Sequence, residues 1–252
     1  MKFYFNSSNS EEATKAKEEY IAKYGQFNPN ESDVIIPIGG DGFLLKSLHD
    51  YKDLKKPFYG VNYGSVGFLM NSESKENLEE IILNAQNIEL KPLQMKAKNN
   101  KGDAFKSIAF NEVSLMRQTH QAAKISININ GIERMKELIC DGVLVSTSAG
   151  STAYNLSAHG SIVPLDSNLL ALTPISAFRP RRWRGALLSE KTKINFFVSN
   201  SEIRSTSVTA DHNEFRNIEE VEVSSSTENK CNILFDKNHS MDERILKEQF
   251  FS

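Results

Sequence analysis

The chain has 252 residues, of which 30 are Lys or Arg and 32 Asp or Glu, a formal net charge of −2, with 39% hydrophobic residues and two cysteines. That length allows one large domain or two modest ones with a core each, and the near-neutral balance argues against a nucleic-acid partner, whose footprint is a basic surface. No stretch approaches about 18 consecutive apolar residues and the amino terminus turns polar after Phe5, so neither a membrane partner nor a secretory leader is expected and a cytoplasmic setting is read; Cys140 and Cys231 lack the spacing of a disulfide framework or a zinc site.

Lys2–Phe5 predicts a first strand. Ser10 then stands as N-cap of a helix over residues 11–24, whose early glutamates suit the positive helix end and which stops at Gly25. Asp33–Ile38 (DVIIPI) is a continuous apolar run, the pattern of a strand covered on both faces. It feeds Gly39-Gly40-Asp41-Gly42 and a second helical pattern, FLLKSLHDY. Pro57–Asn62 reads as a third strand and Ser74 as the cap of a helix over KENLEEIILNAQ. Strands alternating with helices predict a Rossmann-like layered α/β domain over residues 1–90. From Lys91 the texture becomes a series of short β-like runs. KISININ places Ile125, Ile127 and Ile129 on one face before an Asn130-Gly131 hairpin turn, and NNKGD is a second turn. With FNEVSLM, ELICDGVLVS, KINFFVS, IRSTSVTA, EEVEVSSS and KCNILFD, this spacing predicts an all-β sandwich domain over 91–235, broken by one helix near 151–158. Ser240-x-x-Glu243 is a capping box opening a carboxyl-terminal helix within 236–252, expected to pack back on the first domain.

Two segments carry chemistry. A buried strand that ends in glycines brings main chain close to a ligand at the carboxyl edge of an open α/β sheet, and the following helix offers free N–H groups to a phosphate. The glycines are expected to supply positive φ there. Asp41 is the carboxylate of that turn; it could orient a hydroxyl proton, hold a metal ion, or simply cap the helix. GxxxxGK[ST], GxGxxG and HRD/DFG signatures do not occur. In DGVLVSTSAGSTAYNLSAHGS (141–161) an apolar strand runs into Ser146, Thr147, Ser148, Ser151 and Thr152, a hydroxyl-rich bend suited to ribose or phosphate oxygens, with Tyr154 as a stacking ring; the plain alternative is a polar turn without a ligand. Asn111-Glu112 opens a strand, and Asp211-His212-Asn213 follows one and reads equally as an ordinary turn. His49, His120, His159 and His239 show no metal-ligand spacing. The run Phe178–Arg184 (FRPRRWR) offers four arginines for phosphates or a subunit contact, or forms a solvated basic loop; Pro180 rules out a continuous helix through it.

Taken together these residues resemble the NAD kinase family. The resemblance rests on GGDG (39–42), NYGSVGFL (62–69), NE (111–112) and DGVLVSTSAGSTAY (141–154), in the family's order and spanning roughly 33–215. It implies an α/β domain followed by a β-sandwich, and transfer of the terminal phosphoryl group of ATP, or of polyphosphate in some members, to the 2′-hydroxyl of NAD's adenosine ribose. The resemblance further implies that Mg²⁺ or another divalent cation assists, with no metal ligand assigned, and that the chain assembles as a homodimer or homotetramer. By the same resemblance Asp41 is the proton acceptor beside Gly42, and Phe68 closes on the adenine. Asn111 and Glu112 bind the acceptor's ribose, and Asp141 reaches the nicotinamide side. Thr152, Ala153, Tyr154, Asn155 and Ser157, with Ala149 and Leu156, line the adenosine and ribose pocket. His212 and Asn213 stand where the family has a DGQ-like turn. Phe43 stands where the family usually has Thr, which removes a hydroxyl from the donor side. GGDG is shared with lipid and sugar kinases, which stay open as an alternative, as does a non-catalytic NAD(P)-binding sensor.

Overall fold

The computed structural model describes residues 1–64, 67–74 and 76–237. His239, the Ser240/Glu243 capping box and the expected helix that carries it lie outside the described residues. Two compact units divide the chain: Met1–Leu90 with the stretch from Glu228, and Lys91–Thr227. The first begins β1 (Phe3–Ser7), α1 (Glu11–Tyr24), β2 (Val34–Gly39), α2 (Asp41–Tyr51), β3 (Val61–Asn62), α3 (Leu78–Asn84) and β4 (Gln86–Leu90). The second comprises β5 (Leu93–Asn99), β6 (Ala104–Ala109), β7 (Glu112–Arg117), β8 (Ala123–Ile129), β9 (Ile132–Cys140), β10 (Gly142–Ser146), α4 (Tyr154–Ser157), β11 (Leu169–Ile175), β12 (Ala186–Ser189), β13 (Ile194–Val198), β14 (Thr206–Ala210), β15 (Asn213–Phe215) and β16 (Ile218–Ser225). The chain then returns to the first unit with β17 (Cys231–Phe235).

In the first unit β1, β2 and β3 form a parallel sheet with β2 at its centre, every residue of which is buried. Side chains alternate between the faces of a strand, and β1 shows it: Phe3 and Phe5 join Ala13 and Ala16 of α1 and Leu78, Ile81 and Ile82 of α3 in one apolar cluster. On the opposite face the Tyr4 hydroxyl meets that of Tyr51 at 2.9 Å and the Asn6 amide donates to Ser47 Oγ at 2.9 Å, both on α2. The β2 strand is therefore covered on both sides, as its unbroken apolar run predicts. Ser10 caps α1, accepting from the Ala13 amide, but α3 starts later than expected: Asn77, not Ser74, accepts from the Glu79 amide and sets the first turn. The residues after Asn84, read as helix from sequence, turn into β4.

A larger difference concerns KCNILFD. This run continues the β texture of the sandwich, yet β17 pairs antiparallel with β4 and bridges Phe58, whose main chain also pairs with Ile35 of β2. Asn71 locks this return. Its fully buried side chain donates to the carbonyls of Gly60 (3.1 Å) and Leu234 (2.9 Å) and accepts from the Asp236 amide (3.0 Å).

The second unit is a sandwich of two six-stranded antiparallel sheets, ordered β12-β11-β10-β7-β14-β15 and β6-β5-β16-β13-β8-β9. Ile125 and Ile127, on the face predicted from alternation, enter its core beside Val143, Val145, Phe196 and Val221. Asn130 and Gly131 both take positive φ (51° and 80°) in the β8–β9 hairpin, the conformation such a pair adopts most readily. ELICDGVLVS divides at Asp141 into β9 and β10, and β11 and β12, absent from the sequence-derived set, extend the first sheet.

Losing the Asn71 amide would strand buried carbonyls and an N–H, each costing about 1–3 kcal/mol. Asn71→Ala is expected to lower the unfolding free energy by about 2–4 kcal/mol in urea titration. The exposed helix amide in Asn84→Ala is expected to change it by less than about 0.5 kcal/mol. Equal shifts for the two variants would show that the bracket contributes nothing.

Candidate active site

In the first unit, Gly40 is the N-cap of α2 and Asp41 its first residue, so Asp41 is not the capping residue. The Asp41 carboxylate reaches across to the segment after β3 and accepts the main-chain amides of Phe68 at 2.7 Å and Leu69 at 3.0 Å, one on each oxygen. Two charge-assisted bonds from rigid main chain fix the carboxylate's orientation. None of the turn's glycines has positive φ, contrary to the expectation from sequence. They serve close approach instead: a Cβ on Gly64 would lie 3.0 Å from the Gly40 Cα, and one on Gly39 3.1 Å from the Phe43 Cβ. The loop and the turn thus meet backbone to backbone, helped by the Tyr63 amide, which donates to the Gly39 carbonyl at 2.8 Å. Gly42 is exposed and open around its Cα, Phe68 is buried, and Phe43 is partly buried in the first turn of α2.

In the second unit the start of β7 is the meeting point. Asp211 takes positive φ (51°) in the tight β14–β15 turn, and its carboxylate accepts the amides of Phe110 (2.7 Å), Asn111 (2.9 Å) and Glu112 (3.3 Å). From the other side Thr147 donates its amide to the Asn111 carbonyl (2.9 Å) and its hydroxyl to that of Phe110 (2.6 Å), while its Oγ1 accepts the Gly150 amide at 3.0 Å. Gly150 is required there, since a Cβ would fall 2.3 Å from the Asn111 oxygen. The hydroxyl-rich segment folds as a 3₁₀ turn, Ala149–Thr152, followed by the single helical turn α4, rather than one continuous helix.

These contacts sort the residues expected from sequence. Asn111, Glu112, Thr152, Ala153, Tyr154, Leu156 and Ser157 keep exposed or partly exposed surface, and Ala149 is buried beneath them. Asn155 is a correction. It is fully buried, with its amide donating to the carbonyls of Ser151 (3.0 Å) and Ser161 (2.9 Å) and accepting from Thr173 Oγ1 (2.7 Å), so it shapes the turn from below rather than lining a pocket. His212 and Asn213 are exposed on the β14–β15 turn, and Asn213 reaches Ser107 Oγ at 3.3 Å. Asp141 sits between β9 and β10 with Arg117 Nε at 2.5 Å. Sequence reasoning passed over Asn71, and it read Thr147 and Asp211 as parts of a hydroxyl-rich bend and a turn; all three instead hold main chain in place. Short polar residues beside glycine turns were the available signal.

Electrostatically, Glu112 stands out. Burial first, and then the nearby Asp211 carboxylate, push its carboxyl from the usual 4.5 up to about 7, and its Oε2 is buried without a partner among the described residues. Tyr154 is likewise raised, by burial and then by Glu112 and Asp141. A ribose hydroxyl beside Glu112 would meet a carboxyl able either to donate or to accept near neutral pH. Among the described residues, no cluster of three or more His, Cys, Asp or Glu could hold a metal ion.

An open parallel sheet with a glycine turn at its carboxyl edge, joined in sequence to an antiparallel sandwich, is the class of fold seen in nucleotide-dependent kinases of this type among solved structures. A yeast NADH kinase complexed with NADH matches with a TM-score of 0.87 at 20% identity, over 100% of this chain and 88% of that one. An NAD kinase from Archaeoglobus fulgidus in complex with ATP matches with a TM-score of 0.77 at 24% identity, over 98% of each chain. Those likenesses concern the fold, and the sequence comparisons are narrower. Residues 1–87 match the model of the ATP-NAD kinase N-terminal domain and 110–235 that of the C-terminal domain. An NAD kinase from Xylella fastidiosa is 52% identical over 98% of this chain and 95% of its own length, and one from Brucella melitensis 49% identical over 98% and 96%. The chain belongs to the NAD kinase family and is a phosphotransferase acting on NAD. With both halves matched, the lipid or sugar kinase and the non-catalytic sensor fall away.

The Glu112 carboxyl carries a test. Because its folded pKa is raised, the native state retains a proton that the unfolded chain has released between about 4.5 and about 7. Glu112 therefore lowers stability progressively as pH rises through that window, and its full cost is present above it. Glu112→Gln is expected to melt several degrees above the parent at pH about 8 and to lose most of that gain at pH about 5. The same gain at both pH values would contradict a carboxyl that titrates with folding.

Proposed function

We propose that the chain transfers the terminal phosphoryl group of ATP to the 2′-hydroxyl of NAD's adenosine ribose, with Asp41 as the group that orients and finally accepts the hydroxyl proton. The observation that supports this most is the Asp41 carboxylate itself, held by two main-chain amides at 2.7 and 3.0 Å at the end of a buried strand. A carboxylate is a weak base for an alcohol, but the transition state of phosphoryl transfer is loose and the proton leaves late, so a fixed orientation matters more than basicity. Asn111, Glu112, Thr152, Ala153, Tyr154, Leu156 and Ser157 are the acceptor-binding set, with Phe68 and Gly42 beside the Asp41 turn, Asp141 toward the nicotinamide, and His212 and Asn213 at the rim. Asn155 and Ala149 act from beneath, as support.

A divalent cation fits this donor set in one mode. Mg²⁺ is commonly held by one or two carboxylates together with substrate phosphates, and the described residues provide isolated carboxylates rather than a cage of three or more ligands. Asp41 is the carboxylate at the α2 amino terminus that would meet such an ion, which would neutralise charge on the transferring phosphates. ATP is the donor favoured here, with polyphosphate the second reading that Phe43, in place of a hydroxyl, keeps in view. Free, buried Cys140 and Cys231 suit a cytoplasmic setting, and the exposed Leu187 on edge strand β12 suits contact between copies in a homodimer or homotetramer.

An amide at position 41 would set an N–H against one of the two main-chain donors, so Asp41→Asn removes the base and loosens its anchor together. With NAD, ATP and Mg²⁺, the parent is expected to form NADP. Asp41→Asn is expected to lower kcat by roughly 10²–10⁴ while NAD affinity falls by less than about tenfold. Near-full turnover in that variant would remove Asp41 from the chemistry.

A further inference from the structure

The main chain that fixes Asp41 is itself fixed from a distant part of the sequence. Phe68 and Leu69, whose amides hold the Asp41 carboxylate, lead directly into Met70 and Asn71, and all four residues are buried. We propose that Asn71 is a positioning residue for phosphoryl transfer, and that the returning segment 231–236 is the strap against which it holds the two amides on Asp41. This rests on the reading of Asp41 as the proton acceptor.

Two sets of bonds meet at Asn71. Its main chain pairs beside β3: the amide donates to the Gly60 carbonyl at 2.8 Å and the carbonyl accepts the Asn62 amide at 2.8 Å. Its side chain donates to Gly60 again and reaches the strap, donating to the Leu234 carbonyl at 2.9 Å and accepting the Asp236 amide at 3.0 Å. An amide side chain has the two N–H donors and the oxygen that these bonds require. The strap is in turn fastened to the sheet through Phe58, which donates its amide to the Asn232 carbonyl and accepts that of Leu234, both at 2.8 Å.

Close packing removes slack between this bracket and the Asp41 amides. Met70 lies against both Gly60 and Gly67: added Cβ atoms there would fall 2.5 Å from its sulfur and 3.1 Å from its Cβ. A shift at Asn71 therefore passes to Leu69 and Phe68, and each of those amides holds one Asp41 oxygen. Misplacing a reacting group by about 1 Å costs on the order of 10²-fold in rate. Most of the acceptor-binding residues belong to the second unit, so the loss falls on kcat more than on KM.

Assayed well below its melting temperature, Asn71→Ala is expected to lower kcat by about 10–100-fold and to change the KM for NAD by less than about threefold. Asn71→Ser, which keeps a hydroxyl for one partner, should act in the same direction and serves if the alanine variant does not fold. Val34→Ala, a large-to-small change in the same core at the opposite end of β2 from the glycine turn, weakens the unit without touching the bracket and should keep kcat within about twofold. Added to Asp41→Asn, Asn71→Ala should cost less than about threefold more, because residues acting through one group are not additive. In the parent, the Phe68 and Leu69 amides should exchange hydrogen as slowly as those of Asn71 and Asp236, as members of one cooperative unit. Equal kcat losses in the Asn71 and Val34 variants, a fully multiplicative loss in the double variant, or exchange at Phe68 and Leu69 about 10²-fold faster than at Asn71 would each overturn the proposal. Asp41→Asn alone reports separately on the proton acceptor, a reading that stands if Asn71→Ala keeps full turnover.

Discussion

The second unit's site depends on three consecutive residues of main chain. Phe110, Asn111 and Glu112 give their amides to the Asp211 carboxylate, and the first two give their carbonyls to Thr147. The main-chain amides of that stretch and its first two carbonyls are thereby directed before a ligand is bound, and the side chains of Asn111 and Glu112 project from a backbone that cannot easily move. The cost falls on Glu112. Holding Asp211 beneath the strand places a carboxylate beside a carboxyl that burial already disfavours in its charged form, and the raised Glu112 pKa is the consequence. Rigidity and a near-neutral titrating carboxyl are two results of one contact.

The first unit uses the same device. Asp41 there, like Asp211, is an aspartate whose oxygens take main-chain amides from a remote segment, Phe68 and Leu69. Such bonds bind a loop without apolar burial, which suits segments that must leave polar surface open to a nucleotide. They differ in what remains after the loop is held. Asp211 sits behind its strand and acts through other residues. Asp41 stands at a helix amino terminus, where the partial positive charge of free N–H groups also favours a phosphate.

What could be read from the residues alone follows from how local each cause is. The buried β2 strand, the Ser10 cap, the Asn130-Gly131 hairpin and the alternation of Ile125 and Ile127 are set by neighbours within a few positions, and all are legible. Asn77 in place of Ser74 was not, because both are good caps and the choice depends on Leu78, Ile81 and Ile82 reaching the cluster around Phe3. The placement of Cys231–Phe235 was illegible for a stronger reason: its pairing with Gln86–Leu90 joins segments with the whole second unit between them in sequence, and its composition matches the sandwich strands before it. In the site, the identity of the segments was plain while the cause was not. Glycines in GGDG signal either positive φ or close approach, and only the Gly64–Gly40 contact decides for the second. Asn155 lies in the same short motif as Tyr154 and Ser157, but its side chain is turned inward by bonds to Ser161 and to Thr173, the latter on a strand that the motif does not contain.

A net charge of −2 in a protein that handles several phosphates at once is resolved by where the positive field sits. Main-chain N–H groups at the start of α2 provide one local source, independent of the count of lysines. The turn at 179–184 provides another, four arginines within six residues, while Glu112, Asp141 and Asp211 collect near the acceptor-binding residues of the same unit. Acidic and basic side chains carried on different segments of one unit suit a ligand that is itself divided into hydroxyl-bearing sugar and anionic phosphate. A uniformly basic surface would attract any polyanion; a divided one discriminates by penalising phosphate at the sugar end as well as rewarding it at the other, since a specific site gains as much from the mismatched charge it repels as from the matched charge it holds.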